Sequence, residues 1–303
     1  MVAEVLTGLN PQPGSRFLDG TIGRGGHAAA LLEASAPTGW LHGCDRDAEA
    51  VRAARDQLSR FAGRFELRHC CFAEVGDWLE RASCDGVLLD LGVSSPQLDQ
   101  AGRGFSFQLD GPLDMRMDQC QARTAAQVIQ ETSDTELAKM FLELGGERQA
   151  RRLARAMVRA RAGQRFETTR QLAGFIEKIA PRQGRKTHPA TGVFQALRMV
   201  VNDELGNLQR GLAAVWRVLK VGGRLAVITF HSGEDRVVKR FALDLSRDYE
   251  TPGDVDVPEL RRPRPPQLRW LARKAIPPTA AECAANPRAR SAHLRLFERI
   301  YEP

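Results

Sequence analysis

Three aspartates, each at the end of a short apolar run, are the residues of this chain best suited to ligand binding: Asp19, Asp45 and Asp90. Carboxylates accept hydrogen bonds from sugar hydroxyls and attract cationic groups. Open α/β sheets bind ligands outside the carboxyl ends of their strands. If the three runs are parallel strands, the aspartates line one edge of a sheet and form one site.

A glycine-rich turn follows the first aspartate and precedes a predicted helix. The chain passes through Gly20, Gly23, Gly25 and Gly26 before a run of strong helix formers begins at Ala28. Such a turn brings the backbone close to a ligand, with N–H groups at the helix start directed toward it. The alternative is a tight turn that binds no ligand.

The identity of the ligand stays open at this point. The run from Gly23 to Ala28 fits the G-x-G-x-x-A form of the dinucleotide fingerprint, and Asp45 follows about 20 residues later, where a carboxylate usually accepts the ribose hydroxyls. The charge of Asp19, however, opposes a pyrophosphate and suits a cationic amino-acid ligand, such as a methionine-derived sulfonium cofactor.

A second functional segment leaves the fourth predicted strand at Asp90 and contains Ser94, Ser95 and Pro96. It lies beside the first strand, where open α/β sheets place their reacting groups. An ordinary loop, with Asp90 only capping a helix, is the alternative.

Alternating strands and helices over residues 16–91 predict a parallel sheet that positions these segments. Five predicted helices then interrupt the pattern, the last of them from Val193 to Val218, and strand character returns at Gly223–Phe230. Leu294–Ile300 predicts a final edge strand. The sequence therefore predicts an α/β domain with a helical block inserted into it.

Composition narrows the class of partner. The net charge is +7, and residues 147–186 hold twelve Lys and Arg against three Glu, while residues 259–299 hold ten against three. Two concentrated basic tracts favour nucleic acid over other polyanions. There is no apolar run of membrane-spanning length and no leader, so we expect a cytoplasmic protein without membrane contact. The six cysteines lack metal-ligand spacing and are expected to be reduced thiols.

The chain resembles the bacterial small-subunit (16S) ribosomal RNA cytosine-N4 methyltransferases of the MraW type. The runs that carry the resemblance span nearly the full length, in order: Asp19–Thr21, Gly23–His27, Asp85–Gln97, Arg103–Phe107, Asp110–Asp118, His188–Thr191, Phe194–Arg198, Val201–Leu205, Phe230–Ser232, Glu234–Arg236 and Asn286–Ala292. The runs around Asp90 and Asp114 are the most specific. One departure is Gly192, where the family commonly has Arg.

The resemblance implies a Rossmann-like class I methyltransferase domain over residues 1–106 and 203–303, with an inserted helical substrate-recognition domain over residues 107–202. It implies S-adenosylmethionine as cofactor and a cytidine in the decoding region of small-subunit ribosomal RNA as substrate. Naked RNA and the assembled subunit both stay open as partners, as does a homodimer. The residues implied to hold the cofactor are Gly25, Gly26, His27, Asp45, Phe72, Asp90 and Gln97.

Catalysis of such a transfer requires hydrogen-bond acceptors for the cytosine amine, whose lone pair is delocalised into the ring. We assign this role to Ser95 and the backbone carbonyls around Pro96. His231 is a candidate proton acceptor, although a hydrogen-bonding core histidine is the alternative. Asp110, Asp114 and Asp118 fit two roles, as metal ligands or as caps of loop structure. The sequence does not choose between these roles, so no metal ligand is assigned.

The RNA contacts are assigned to the insertion. The helix over residues 148–165 is expected to contact phosphates, with a solvated helix face as the alternative. Phe105 and Phe107 either stack on a base or fill the core. Two other functions stay open: an NAD-dependent oxidoreductase, and a non-catalytic RNA-binding assembly factor that keeps the fold.

Overall fold

The computed structural model describes residues 1–182, 184, 187–251 and 256–302. The chain forms two compact units, one of residues 1–92 and 205–303 and one of residues 93–204. The first boundary falls earlier than residue 106, because Val93, Leu98 and Phe105 pack in the core of the second unit.

The first unit contains the sheet and the helices that cover it. Its helices are α1 (Val2–Leu9), α2 (Gly26–Ala34), α3 (Ala48–Gln57), α10 (Glu204–Val218), α11 (Ser232–Ser246) and α12 (Ala280–Ala285). Its strands are β1 (Arg16–Asp19), β2 (Trp40–Asp45), β3 (Phe65–His69), β4 (Cys84–Asp90), β5 (Leu219–Thr229), β6 (Tyr249–Glu250), β7 (Arg262–Pro263), β8 (Leu268–Trp270) and β9 (His293–Arg299).

Seven strands form the main sheet in the order β3-β2-β1-β4-β5-β9-β8, while β6 and β7 pair separately. The pairings from β3 to β5 are parallel, and β9 runs antiparallel to both β5 and β8. The predicted α/β class is confirmed. The prediction that the last strand lies at the edge is wrong, because β8 pairs with its outer side. The strand order reverses between β1 and β4, which is where such sheets bind ligands.

Apolar side chains cover both faces of the sheet. Leu88 of β4 packs in the cluster formed with α1, α2 and α3. Val87 and Leu89 pack in the opposite cluster, with α10 and α11. This two-sided burial explains the nearly continuous apolar sequence of β4.

The second unit is helical, with a single core. Its helices are α4 (Ser95–Asp99), α5 (Ala125–Glu131), α6 (Asp134–Glu143), α7 (Ala150–Ala160), α8 (Thr169–Ile179) and α9 (Ala190–Val201). The core includes Phe105, Phe141, Met157 and Leu197. Among the described residues, no helix of either unit has the length and apolar character needed to cross a bilayer.

The helix predicted from Val193 to Val218 is in fact two helices. α9 ends at Val201, and Asp203 adopts a left-handed conformation with φ of 44° before α10 begins. Between them Asn202 is fully buried. Its amide donates to the carbonyl of Met115 at 2.8 Å and accepts from the N–H of Met117 at 2.8 Å. The break between the helices therefore lets the Asn202 side chain hold the loop around Met115 by two hydrogen bonds. Met115 itself has φ of 64°.

Replacing Asn202 by alanine is expected to destabilise the second unit by about 2–3 kcal/mol, because it leaves a buried carbonyl and a buried N–H without partners. Chemical denaturation measures the loss. Gln209→Ala at an exposed position of α10 is the control. If the alanine variant loses no more unfolding free energy than the control, the two Asn202 hydrogen bonds contribute nothing to stability.

Candidate functional site

The loop between β1 and α2 is shaped by two glycines in the left-handed region. Gly23 has φ of 51° and Gly25 has φ of 81° at the N-cap of α2. This conformation favours glycine because it has no Cβ. The N–H of Gly25 donates to the carbonyl of Ile22 at 2.8 Å, which closes the turn. The loop thus presents the N-terminal turn of α2, which contains Gly26 and His27, at the carboxyl edge of the sheet.

Asp45 fixes this loop to the end of β2. One carboxylate oxygen accepts from the N–H of Gly23 at 3.0 Å, and the other accepts from the N–H of Asp47 at 2.9 Å. Burial raises the pKa of Asp45, while these two hydrogen bonds oppose the rise. Each oxygen keeps a further lone pair, so the carboxylate can also accept from ligand hydroxyls.

Asp19 and Asp90 lie at the ends of adjacent strands and are linked through Thr21. The N–H of Thr21 donates to Asp19 at 3.1 Å, and the Thr21 hydroxyl accepts from the N–H of Asp90 at 2.6 Å. Burial is the main cause that raises the pKa of each aspartate to about 7, and the nearby charges of Asp90 and Asp45 add to the rise at Asp19. The edge therefore gathers buried acidic groups that titrate near neutral pH, and the N-terminal ammonium is the positive charge that opposes the rise at Asp90.

His27 and Asp90 carry the unsatisfied polar atoms of the site. Nδ1 of His27 lies 3.7 Å from a carboxylate oxygen of Asp90. Its Nε2 and the other Asp90 oxygen are buried, and within the described part of the chain neither has a hydrogen-bond partner. Burial lowers the pKa of His27 to about 4, so the ring is neutral at pH 7. Buried polar atoms without partners are costly, so this arrangement fits a polar ligand with donor groups and positive charge.

Phe72 lies beside the glycine turn. Its Cβ sits 2.9 Å from the position that a Cβ on Gly20 would occupy, and its ring fills the space beside Gly211 of α10. A Cβ on Gly211 would lie 2.1 Å from the Phe72 ring. The two glycines thus hold this aromatic ring close to the end of β1.

His231 serves the N-cap of α11. Its Nδ1 accepts from the N–H of Glu234 at 3.4 Å, and its Nε2 lies 3.3 Å from a carboxylate oxygen of the same residue. The Glu234 carboxylate also accepts from the N–H of Phe230 at 2.8 Å. Nδ1 therefore takes part in the helix cap, which favours the hydrogen-bonding alternative over a proton acceptor, while the buried Nε2 has no hydrogen-bond partner among the described residues.

The segment from Ser94 to Gln97 belongs to the second unit and begins α4. Ser94 is the N-cap, and the buried Gln97 accepts from its N–H at 3.0 Å in a capping box. The carbonyl of Pro96 accepts from the N–H of Gln100 at 3.0 Å. Ser95 is the exposed first residue of the helix, so its hydroxyl is the accessible acceptor of the segment.

The carboxylates of the loop that follows are caps of local structure. Asp114 forms a two-point hydrogen bond with Arg116, Asp110 accepts from the N–H of Arg170, and Asp118 accepts from the N–H of Cys120. Phe105 is buried in the core, and Phe107 packs against Phe194.

Thr21 is the residue of this site that the sequence did not identify. It couples Asp19 to Asp90 across two strands, and its only signal was its position between the first aspartate and the glycine turn. A hydroxyl that bridges strand ends is a tertiary contact, which no local pattern indicates.

The family profile and the two similar proteins that follow all point to a methyltransferase. The sequence profile described as the MraW methylase family matches residues 1–300. The chain is 50% identical to ribosomal RNA small subunit methyltransferase H of Syntrophotalea carbinolica over 99% of this chain and 96% of that protein. It is 46% identical to the enzyme of the same name from Thermobifida fusca, over 100% of this chain and 92% of that protein.

Among solved structures, a SAM-dependent O-methyltransferase from Thermotoga maritima is similar with a TM-score of 0.43 and 11% identity. The alignment covers 100% of this chain and 65% of that one.

Proposed function

The chain belongs to the MraW methylase family, and on that premise we propose that it methylates small-subunit (16S) ribosomal RNA with S-adenosylmethionine as donor. We further propose that the acceptor is the exocyclic N4 of a cytidine in the decoding region. The two relatives are 50% and 46% identical to this chain over almost their whole length, and their names support small-subunit ribosomal RNA as the substrate class. An RNA substrate of this kind also supports a cytoplasmic location.

One observation supports the cofactor most strongly: aspartates end β1, β2 and β4 at the carboxyl edge of the sheet, and among the described residues one buried oxygen of Asp90 and the buried Nε2 of His27 have no hydrogen-bond partner. S-adenosylmethionine carries an ammonium and a sulfonium group, so its charge complements this edge. When bound, it supplies an activated methyl group. Gly25, Gly26, His27 and Asp90 would hold its methionine end, Asp45 the ribose hydroxyls, and Phe72 the adenine. Gln97 keeps its assignment to this pocket as part of the proposal.

The role of the substrate-binding residues follows from the chemistry of the amine. An acceptor on the amine N–H favours a pyramidal nitrogen with an available lone pair, and the exposed hydroxyl of Ser95 can supply it. The Pro96 carbonyl is already engaged in α4 and keeps one lone pair for the same purpose. His231, held in the α11 cap, would orient the loop that precedes α11.

Two other functions are less well supported. An NAD-dependent oxidoreductase accounts for the glycine turn and Asp45, but Asp19 and Asp90 beside the turn oppose a pyrophosphate, and family membership favours a methylase. A non-catalytic assembly factor would leave unexplained why the β1–β4 edge has buried polar atoms that find no hydrogen-bond partner among the described residues.

The test is transfer of a labelled methyl group from S-adenosylmethionine to purified small subunits and to naked small-subunit RNA, followed by identification of the modified nucleoside. We expect N4-methylcytidine at a decoding-region position. Label in any other nucleoside would show that the proposed acceptor is wrong. Absence of label from both substrates would show that the proposed enzymatic function is wrong.

Replacing Ser95 by alanine is expected to lower the turnover number about tenfold, the value of one neutral hydrogen bond made in the transition state. The KM for S-adenosylmethionine should stay unchanged. Ser95→Thr keeps the hydroxyl and is the matched control, with expected turnover close to that of the native enzyme. Single-turnover methyl transfer measures the effect, and undiminished turnover of the alanine variant would remove Ser95 from the mechanism.

A further inference from the structure

The surface of α7 carries a continuous face of arginines. Ala150, Leu153, Ala154 and Met157 are buried in the core of the second unit. Four exposed arginines lie on the opposite side of the helix, within about 100° of arc at about 100° per residue: Arg151, Arg152, Arg155 and Arg159. Arg148 is also exposed and lies just before α7 begins. Successive members of the row Arg151–Arg155–Arg159 are four residues apart, about 6 Å along the axis.

Not every arginine of this basic tract belongs to that face. The guanidinium of Arg161 donates to the carbonyl of Ile129 at 2.5 Å and to that of Thr132 at 2.6 Å. Arg161 therefore satisfies the C-terminal carbonyls of α5 and serves the fold. Arg185 and Lys186, at the end of the tract, lie outside the described residues.

A groove of about 870 Å³ separates this face from α6. Arg148, Arg151, Arg152 and Arg155 line one wall, and the cations of the groove, with Lys139, outnumber its acids by five to two. Arg155 lies 3.9 Å from Asp134, and Arg152 donates to Gln149 at 3.3 Å. Arg151 forms no ion pair with any residue that the structure describes. The arginine wall thus has excess positive charge directed at solvent.

The other wall differs in chemistry. α6 contributes both acids of the groove, Asp134 and Glu143, together with Lys139. It also contributes Ala138 and Leu142, and Leu142 is 56% exposed although it is a large apolar residue. A groove with one cationic wall and one partly apolar wall fits a chain that has anions along one side and apolar rings along the other. Single-stranded RNA has this asymmetry, whereas a duplex presents phosphates on its outside and covers its bases.

We propose that the α6–α7 groove binds a single-stranded segment of the RNA substrate, with its phosphates on the α7 arginines and its riboses or bases on Leu142. The inference rests on the proposed function for the identity of the nucleic acid. The groove lies wholly within the second unit, so its contribution to binding is separable from cofactor binding and methyl transfer.

The experiment measures binding of the full-length protein to a single-stranded RNA oligonucleotide and to a blunt RNA duplex of equal length, over a range of salt concentrations. The double variant Arg151→Gln/Arg155→Gln should bind the single strand about tenfold more weakly and lower the slope of log K against log salt by about 1.4, since each phosphate contact contributes about 0.7. The affinity for S-adenosylmethionine should not change.

The control is Arg52→Gln/Arg240→Gln, which removes the same charge from exposed arginines of the first unit. It should leave the salt slope unchanged. Equal slopes for the two double variants would overturn the proposal, as would an effect confined to the duplex. If the native protein transfers no methyl group yet shows the arginine-dependent slope, the proposed function fails and the groove assignment stands.

A second pair of variants tests the apolar wall. Leu142→Asp should weaken binding of the single strand, whereas Leu243→Asp on α11, where the native leucine is 52% exposed, should not. Both positions face solvent, so neither change disturbs a core. Unchanged binding by Leu142→Asp would overturn the placement of riboses or bases on this wall.

Discussion

Replacing Asp45 by alanine is expected to lower the affinity for S-adenosylmethionine by about a hundredfold or more, because two hydrogen bonds to a charged acceptor contribute about 1.5–3 kcal/mol each. The carboxylate is proposed to accept both ribose hydroxyls while it also holds the N–H of Gly23 at 3.0 Å. Its loss therefore removes ligand contacts and releases the glycine turn. Isothermal titration calorimetry measures the dissociation constant.

A matched control lies at the opposite end of the sheet. Asp85 is the second residue of β4, at its amino end. Its carboxylate accepts from the N–H of Arg16 at 2.7 Å and pairs with Lys220 at 2.7 Å. Asp85→Ala removes a carboxylate with a comparable number of partners, but far from the proposed pocket. Its effect should appear in thermal unfolding and not in cofactor affinity.

The conservative variant Asp45→Asn separates the two roles of the carboxylate. Its amide oxygen can still accept from Gly23, so the turn should persist while the charge on the ribose contact is lost, and we expect an intermediate affinity. An alanine variant that binds the cofactor as tightly as the native protein would mean that Asp45 organises the loop and does not contact the ribose.

The strands of the sheet were predictable because burial determines their sequence. β4 is apolar along nearly its whole length since both of its faces are covered, and β2 and β3 lie where the apolar runs lie. The neighbour of β9 was not predictable. β8 has three residues, Leu268–Trp270, in a segment rich in Pro and Arg, and only its pairing with β9 makes it a strand.

The break between α9 and α10 shows a second limit of sequence reasoning. Nothing in the apolar periodicity interrupts the helix at Asn202, since the cause is a long-range one: its side chain bonds the backbone of Met115 and Met117, far away in the chain. Tertiary hydrogen bonds of this kind override helix propensity.

Gly192 illustrates how a family departure is explained by packing. A Cβ at Gly192 would lie 2.5 Å from the carbonyl oxygen of Gly145, and a Cβ at Gly145 would lie 2.2 Å from the carbonyl oxygen of Gly192. The backbones of α9 and of the turn after α6 therefore touch directly. In this chain the position has no room for the arginine that the family commonly carries, whatever that side chain does elsewhere.

For the site, the sequence placed Asp19, Asp45 and Asp90 at strand ends, and the structure has them there. Sequence reasoning missed the cap that Gln97 forms with Ser94, although Ser-x-x-Gln has the spacing of a capping box. It left open whether His231 caps α11, because histidine is not a preferred N-cap residue. Residue type and spacing identify which groups could act, whereas hydrogen-bond partners decide which of them stay available.

Binding of S-adenosylmethionine is expected to strengthen by about a hundredfold between pH 6 and pH 8, because two carboxyl groups must lose protons to complement its charge. Asp19 and Asp90 each have a pKa raised to about 7, chiefly by burial. A cation beside them lowers both pKa values, so binding releases protons near neutral pH. The pKa of Asp45 is raised as well, and the pKa of His27 is about 4, so the histidine stays neutral throughout this range.

The same pKa shifts determine how the folding stability of the ligand-free protein changes with pH. A carboxyl group with an ordinary pKa of 3.8 in the unfolded chain and about 7 in the fold contributes stability that is present at low pH and is lost as the pH rises toward 7. The cofactor should therefore raise the midpoint of thermal unfolding more at pH 8 than at pH 6. Differential scanning calorimetry at pH 6 and pH 8 measures the midpoint of thermal unfolding with and without the cofactor.

Two comparisons assign the effect to the aspartates. Asp90→Asn removes one titrating group and should reduce the pH dependence of log K by about half. S-adenosylhomocysteine lacks the sulfonium charge and should show a shallower dependence than S-adenosylmethionine in the native protein. An affinity for S-adenosylmethionine that is flat or falls between pH 6 and pH 8 would mean that the charge of these aspartates does not face the cofactor, and the proposed orientation of its methionine end would then be wrong.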